Sequence, residues 1–245
     1  MKNFDGLREH FTEVLDNLVE NYDFGVFLNT RDHGDYNCWR DSCCDFDNYI
    51  DGMWFLAGAS KAVIKFEEED YVIKIPFYNL KGLDYCRVEY RNYLQAKKEG
   101  IEKMFAECYK LMDYGECPIY IMELCDCGEE TTTEVIASVL SPIREMNYDL
   151  NDEDEWADFH DEVYDDEDSV NQYLGEVLDQ EDYEALTEFC FENEINDLHA
   201  GNIGFIGSRV VLIDYSGYGC LYGPSYEPTY WDCVDEFERE VFHEV

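Results

Sequence analysis

Residues 54–77 constrain the fold of this 245-residue chain more than any other stretch, because they are predicted to form consecutive β-strands. The runs WFLAGASKAVIKF, residues 54–66, and DYVIKIPF, residues 70–77, are rich in β-branched and aromatic side chains, with the acidic turn EEED between them. A helix is predicted over residues 84–105 and a further strand pair over residues 110–124. Strands, one helix and more strands predict a small mixed lobe.

The remaining C-terminal half is predicted to be mainly helical. The stretch from Thr131 begins with threonines typical of helix N-caps, and residues 179–194 place Tyr183, Leu186 and Phe189 on one helical face. The chain is therefore predicted to belong to the α+β class, with a β-rich lobe over residues 52–125 and a helical lobe over residues 126–245.

An N-terminal extension, residues 1–51, precedes these lobes. Residues 5–22 carry an apolar stripe at helical spacing, and residues 29–52 are polar and turn-rich, which predicts a long connection. Zinc ligation by His33, Cys38, Cys43 and Cys44 is an alternative, but the spacing matches none of the common zinc-binding patterns.

Three features of the sequence favour a cytoplasmic protein. It has no apolar run of eighteen residues, and its N-terminus lacks the apolar core of a signal peptide. Its 11 cysteines are odd in number and scattered, which favours reduced and mostly buried thiols. We therefore expect a cytoplasmic protein with no membrane partner.

Five polar residues follow one another in an order that suggests a specific fold. Lys74 is the centre of VIKIP, Glu89 lies fifteen residues later on the predicted helix, and INDLHAGNIGF contains Asp197 and Asn202, five residues apart. The apolar strand VLID then ends in Asp214. This order resembles the protein-kinase-like superfamily over residues 52–220. In motif detail it is closer to aminoglycoside and choline phosphotransferases, and to small kinase-like proteins of bacteria and phages.

The resemblance implies a bilobal kinase-like fold that binds ATP and Mg2+. It assigns Lys74 to the nucleotide phosphates, Glu89 to holding that lysine, Asn202 and Asp214 to the metal, and Asp197 to the acceptor hydroxyl. Oxygen ligands suit the hard Mg2+ ion, and phosphoryl transfer depends on positioning and charge neutralisation.

Two further segments match nucleotide-binding parts of that family. Met122, Glu123, Leu124 and Cys125 match the hinge, whose backbone groups bind adenine; Glu123 and Cys125 are the candidate residues. Gly58 matches the middle of the glycine-rich loop, and Ser60 its tip.

The sequence departs from the protein-kinase pattern in ways that bear on activity. Leu56 and Lys61 stand where two of the three loop glycines are expected, and Ile195 and Asn196 replace the usual residues before the catalytic aspartate. Only 31 residues follow Asp214, so the C-lobe is truncated. About 70 residues separate the hinge from Asp197, and this surplus includes the acidic segment, residues 151–170.

Charge divides the chain into unequal halves. Residues 1–110 carry 14 Lys and Arg against 21 Asp and Glu, whereas residues 111–245 carry 3 against 37, within an overall net charge of −41. Such a surface repels nucleic acid phosphates and attracts cations or basic partners. We therefore expect no direct binding to nucleic acid. Solubility and adaptation to high salt are alternative reasons for the negative charge.

Two classes of function follow from these observations. The first is a Mg-ATP-dependent phosphotransferase whose acceptor is a hydroxyl of a basic protein or a polycationic small molecule. The nucleotide-binding residues would be the same for serine, threonine, tyrosine and small-molecule hydroxyls, and transfer of AMP uses related residues, so these alternatives stay open. The second is a catalytically weak or inactive kinase-like interaction protein that acts as an acidic decoy for a basic or DNA-binding partner. The first class is favoured because none of Lys74, Asp197, Asn202 and Asp214 is missing.

Overall fold

The fold combines helices with two antiparallel sheets, which confirms the predicted α+β class. The computed structural model describes residues 4–42, 49–58, 60–77, 85–146, 148–149, 151–160, 163, 167–196 and 198–216. These residues contain eight α-helices, a six-stranded sheet and a two-stranded sheet. Contacts divide the chain into two compact units, residues 1–90 with 107–124 and residues 91–106 with 125–245.

The first unit is built on the six-stranded sheet. Its strands are β1 (Tyr49–Ile50), β2 (Met53–Ala57), β3 (Lys61–Phe66), β4 (Tyr71–Pro76), β5 (Cys108–Tyr114) and β6 (Cys117–Glu123). They lie in the order β1-β2-β3-β4-β6-β5, and every neighbouring pair is antiparallel. The predicted strand runs are therefore confirmed, and the run over residues 54–66 folds back on itself as a hairpin.

Three helices precede the sheet in the chain: α1 (Asp5–Tyr22), α2 (Gly25–Thr30) and α3 (His33–Ser42). The first confirms the predicted amphipathic helix. The predicted long connection over residues 29–52 is wrong at residues 33–42, which form α3. Tyr36 and Trp39 lie one helical turn apart and are buried, so apolar packing stabilises a helix whose other side chains are mostly polar.

These helices share one hydrophobic core with the sheet. Phe11, Leu15 and Phe24 pack in the same cluster as Ile64 of β3 and Ile73 of β4. Because successive side chains of a strand point to opposite faces, the alternate residues of β3 and β4 point away from this core. That second face carries the residues discussed below.

The hypothesis of a zinc site gains no support from α3. Cys38 is exposed, and the ring of His33 contacts that of Phe77 at 5.5 Å. Within the described ranges, no group of three or more His, Cys, Asp and Glu side chains is arranged to hold a metal ion. Cys43 and Cys44 lie outside the described residues.

The second unit is mainly helical. It contains the C-terminal part of α4 (Tyr85–Glu99), then α5 (Glu129–Arg144), α6 (Glu153–Phe159), α7 (Glu167–Val177) and α8 (Gln180–Glu192). A hairpin of β7 (Ile203–Ile206) and β8 (Arg209–Leu212) forms the two-stranded sheet. The predicted helices beginning near Thr131 and near residue 179 are confirmed. None of the helices within the described residues combines the length and the apolar composition of a membrane-spanning segment.

The acidic segment, residues 151–170, is exposed at its charged positions. Every acidic side chain described there lies on the surface, namely Asp152, Glu153, Asp154, Glu155, Asp158 and Asp168. Phe159, Val163 and Val170 of the same segment are buried. The predicted surface position is therefore confirmed for these carboxylates, and the apolar side chains between them attach the segment to the unit.

The described cysteines are reduced thiols, as predicted. Five of the seven are buried and two, Cys38 and Cys127, are exposed. Burial raises the pKa of the Cys190 thiol to about 12, so this thiol stays protonated and unreactive at neutral pH.

Candidate functional site

Lys74 lies on β4 between two core residues, Ile73 and Ile75, and its side chain points to the opposite face of the sheet. There it is only 5% exposed, and its Nζ lies 2.9 Å from Oε2 of Glu89 on α4. Glu89 is itself fully buried. The predicted Lys74–Glu89 ion pair is therefore confirmed.

A second lysine, which the sequence reasoning did not assign to the site, donates to the same carboxylate. The Nζ of Lys61, the first residue of β3, contacts Oε1 of Glu89, and Lys61 is 6% exposed. In the β3–β4 register Val63 is opposite Lys74, and Lys61 is two residues before Val63. Lys61 and Lys74 therefore extend from one face of the sheet to the two oxygens of one carboxylate.

Lys61, Lys74 and Glu89 form a buried group of charges, here called the lysine cluster. Charged groups out of contact with water are retained only where they are paired and hydrogen-bonded, and charge-assisted bonds between them are the strongest in proteins. Because Glu89 holds both ammonium groups, it fixes their position relative to each other.

An apolar strip lies on the same sheet face beside the lysine cluster. It consists of Leu56, Val63 and Val72: Leu56 is opposite Val63 in the β2–β3 register, and Val63 is opposite Lys74. Leu56 is 51% exposed, and the two valines are half-buried. One sheet face therefore presents an accessible apolar surface next to buried ammonium groups.

The segment matched to the glycine-rich loop is the turn between β2 and β3. The Gly58 amide donates to the Lys61 carbonyl at 3.0 Å, and the Phe77 amide donates to the Ser60 carbonyl at 2.8 Å. Ser60 is buried, whereas Gly58 is exposed, and a Cβ at Gly58 would contact nothing within 4 Å. The packing of the fold therefore does not require a glycine at position 58.

The residues matched to the hinge are the last two of β6, Met122 and Glu123, and the two that follow it, Leu124 and Cys125. The Glu123 amide donates to the Glu107 carbonyl at 2.9 Å, and Oε2 of Glu123 accepts from the Glu107 amide at 3.3 Å. These bonds show that the amide and the carboxylate of Glu123 both tie β6 to the segment before β5. Cys125 is buried and belongs to the second unit, whereas Glu123 belongs to the first.

The motif INDLHAGNIGF forms a short 3₁₀ turn, Ala200–Asn202, that leads into β7. The Gly201 amide donates to Nδ1 of His199 at 3.1 Å, so the histidine caps this turn. Asn202 is buried. Asp197, the predicted catalytic residue, lies outside the described residues.

The β7–β8 hairpin brings the two predicted metal ligands to the same end of a sheet. Ile203 is opposite Leu212, and the Ile213 amide donates to the Asn202 carbonyl at 3.0 Å. Asp214 follows directly, is half-buried, and accepts a bond from the Ser216 hydroxyl at 3.1 Å. An amide oxygen and a carboxylate are hard donors, so this pair fits the ligand preference of Mg2+.

Two hydrogen bonds anchor Tyr215, the residue immediately after Asp214, one through its backbone carbonyl and one through its side-chain hydroxyl. Asn92 Nδ2 on α4 donates to the Tyr215 carbonyl at 2.7 Å, and the Tyr215 hydroxyl donates to the Ala106 carbonyl at 2.7 Å. Asn92 and Tyr215 are both fully buried, and the ring of Tyr215 packs against Phe105. Asp214 is therefore held by residues that the sequence reasoning did not identify.

Gly204 of β7 lies where three segments approach one another closely. A Cβ at this position would be 2.7 Å from the Cβ of Cys125 and 2.8 Å from Cγ2 of Ile213. Neither atom is the end of a long flexible side chain. Packing therefore requires a glycine at position 204, which lies close to Asn202 and Asp214 in the hairpin.

We expect Gly204→Ala to lower the free energy of unfolding by about 1–3 kcal/mol, the usual cost of overpacking a core. The measurement is thermal unfolding of the nucleotide-free protein. Gly6→Ala is the control, because a Cβ there contacts nothing within 4 Å and should leave the melting temperature unchanged or higher. Equal melting temperatures for Gly204→Ala and the wild type would contradict this packing.

Comparisons with protein-family models, with curated proteins and with solved structures found no match to this chain. The resemblance to kinase-like proteins therefore depends on the order of the motifs and on the geometry of the residues just described.

Proposed function

We propose that this chain is a Mg-ATP-dependent phosphotransferase with a kinase-like bilobal fold, acting in the cytoplasm on a hydroxyl of a basic protein or of a polycationic small molecule. The observation that carries the proposal is the buried Lys74–Glu89 ion pair. Burying an ammonium group on a short strand has a large desolvation cost, and binding a phosphate group is a function that would justify it.

The surroundings of the ion pair support a nucleotide as its ligand. The apolar strip of Leu56, Val63 and Val72 lies on the same sheet face and offers a surface against which a flat base can pack. Ammonium groups beside an apolar surface match the two chemical halves of a nucleoside triphosphate.

When bound, Mg-ATP would supply the transferable phosphoryl group and a cation that neutralises its charge. Lys74, held by Glu89, would bind the phosphates together with the turn that contains Gly58 and Ser60. The backbone groups of Glu123 and Cys125 would bind the adenine base. Asn202 and Asp214 would hold the metal. Asp197 would orient the acceptor hydroxyl and take its proton.

The test is transfer of labelled phosphate from ATP to proteins and small molecules of a host lysate, with Asp197→Ala as the matched inactive control. Labelled products that depend on wild-type protein and Mg2+, and that are absent with the variant, are expected. Absence of any labelled acceptor, combined with absence of nucleotide binding, would overturn the proposal.

A second candidate, an acidic decoy for a basic partner, is favoured by one observation. The described carboxylates of the acidic segment are all exposed, and no lysine or arginine occurs between Arg144 and Arg209. A surface of this kind attracts polycations. In the phosphotransferase it would recruit the acceptor, and in a decoy it would be the whole binding site.

If the acidic segment binds polycations, affinity for a lysine-rich peptide should fall steeply between about 0.1 and 1 M salt, as the Debye length shortens from about 10 to about 3 Å. The double variant Glu153→Gln with Asp158→Asn should weaken binding at low salt. The control is Glu68→Gln with Glu69→Gln, which removes the same charge from an exposed turn elsewhere. Equal weakening by both would show that only net charge matters.

A further inference from the structure

Lys61 is a buried charged residue for which the proposed function has so far given no role. It stands where the resemblance leads one to expect the last glycine of the phosphate-binding loop, directly after the turn at Gly58 and Ser60. Strand β3 alternates Ala62 and Ile64 toward the hydrophobic core with Lys61, Val63 and Lys65 toward the other face.

The geometry gives Lys61 and Lys74 equivalent positions around Glu89. Each ammonium group donates to a different oxygen of that carboxylate. The three side chains together carry one negative and two positive charges, and all three are nearly inaccessible to water. An anion brought to this cluster interacts with both lysines under weak screening.

We propose that Lys61 is a second ligand of the nucleotide phosphates and acts together with Lys74; this inference rests on the proposed function. A loop with three glycines holds phosphates with backbone amide groups. In this chain only one of those glycines is present, and the ammonium group of Lys61 supplies donors and positive charge at the position of a missing glycine.

A polyphosphate is the ligand class that fits this arrangement. Glu89 accepts from Lys61 through Oε1 and from Lys74 through Oε2, so the two ammonium groups lie at the two oxygens of one carboxylate. A triphosphate or diphosphate carries enough charge and enough acceptor oxygens to engage both lysines at once. A neutral nucleoside has no group for them.

The experiment compares the dissociation constants of Mg-ATP, Mg-ADP and adenosine for the wild type, Lys61→Met, Lys61→Gln and Lys65→Met by calorimetry. Losing one hydrogen bond between charged groups should weaken Mg-ATP and Mg-ADP by about 10- to 100-fold in both Lys61 variants. Adenosine affinity should not change. Lys65→Met is the matched control, because Lys65 lies on the same strand and face but four residues farther along.

The melting temperature of each nucleotide-free variant separates phosphate binding from a structural role. After Lys61→Met, Glu89 still pairs with Lys74, and Lys61→Gln keeps a donor for Oε1 of Glu89, so both variants should fold. If Lys61 had only a structural role, its variants would have a lower melting temperature than the wild type and would bind Mg-ATP as tightly as Lys65→Met does. That result would overturn the inference but leave the proposed function intact. A wild-type protein that binds no Mg-ATP would overturn both.

Discussion

Replacing Glu89 by glutamine is expected to destabilise the protein by about 3–5 kcal/mol, because it removes the carboxylate that both buried lysines share. The substitution keeps the size of the side chain, so no cavity contributes to the loss. For a chain of this size each kcal/mol lowers the melting temperature by roughly 2–4 °C. Thermal unfolding without nucleotide measures the effect.

The control is Glu99→Gln on the same helix. Glu99 is exposed, and a surface substitution of this kind should change the free energy of unfolding by no more than about 0.5 kcal/mol. If Glu89→Gln melted at the same temperature as Glu99→Gln, the lysine cluster would not be a buried, carboxylate-dependent unit. A further expectation is that Glu89→Gln loses Mg-ATP affinity at temperatures where it is still folded.

The largest effect on activity is expected at Asp197. Removing a general base typically lowers the rate by about 10²–10⁴-fold, so Asp197→Ala should lose phosphoryl transfer while it keeps nucleotide binding. Asp197→Asn keeps the shape of the side chain and serves as the control for local disturbance; it should be equally inactive. Transfer is measured with labelled ATP and the acceptor found in the lysate.

Asp214 should behave differently from Asp197, because it is assigned to the metal. Asp214→Ala removes a hard oxygen ligand and should lose both transfer and Mg-ATP binding. A wild-type transfer rate in one of these variants would show that the aspartate replaced in it takes no part in the mechanism. Loss of transfer in both, with nucleotide binding lost only in Asp214→Ala, separates the two roles.

The strand pattern made much of the first unit predictable. The β-branched runs around Ile64 and Ile73 alternate with polar residues, and this period specifies strands that cover a core on one face. Alternation alone did not reveal that Lys74 is buried, since a lysine between two isoleucines fits a solvated face equally well. The position of Glu89 on the following helix was the additional signal, and their contact confirms it.

Other features depend on tertiary contacts that the local pattern does not contain. Helix α3 is polar apart from a few residues, and only packing of Tyr36 and Trp39 in the core accounts for it. The anchors of Asp214 join residues far apart in sequence, since Asn92 binds the carbonyl of Tyr215. Side-chain bonds to a distant backbone carbonyl leave no periodic trace in a sequence.

Lys61 was missed for a different reason. Comparison with a glycine-rich pattern treated it as a departure in a loop, whereas the alternation of Lys61, Val63 and Lys65 with Ala62 and Ile64 already assigned it to a strand face. At Lys61 the two-residue period of a strand predicted the local structure better than the match to the glycine-rich loop did. The contact of Lys61 with the carboxylate that also accepts from Lys74 is a tertiary contact, which the strand period does not contain.

We propose that this chain binds Mg-ATP through Lys61, Lys74, Asn202 and Asp214, and the melting temperature with and without Mg-ATP measures this binding. At about 100 times the dissociation constant, Mg-ATP should stabilise the wild type by about 2.7 kcal/mol, which corresponds to roughly 5–11 °C for a chain of this size. Asp214→Ala should lose most of this shift. A wild-type melting temperature that does not respond to millimolar Mg-ATP would contradict the claim and favour the acidic decoy.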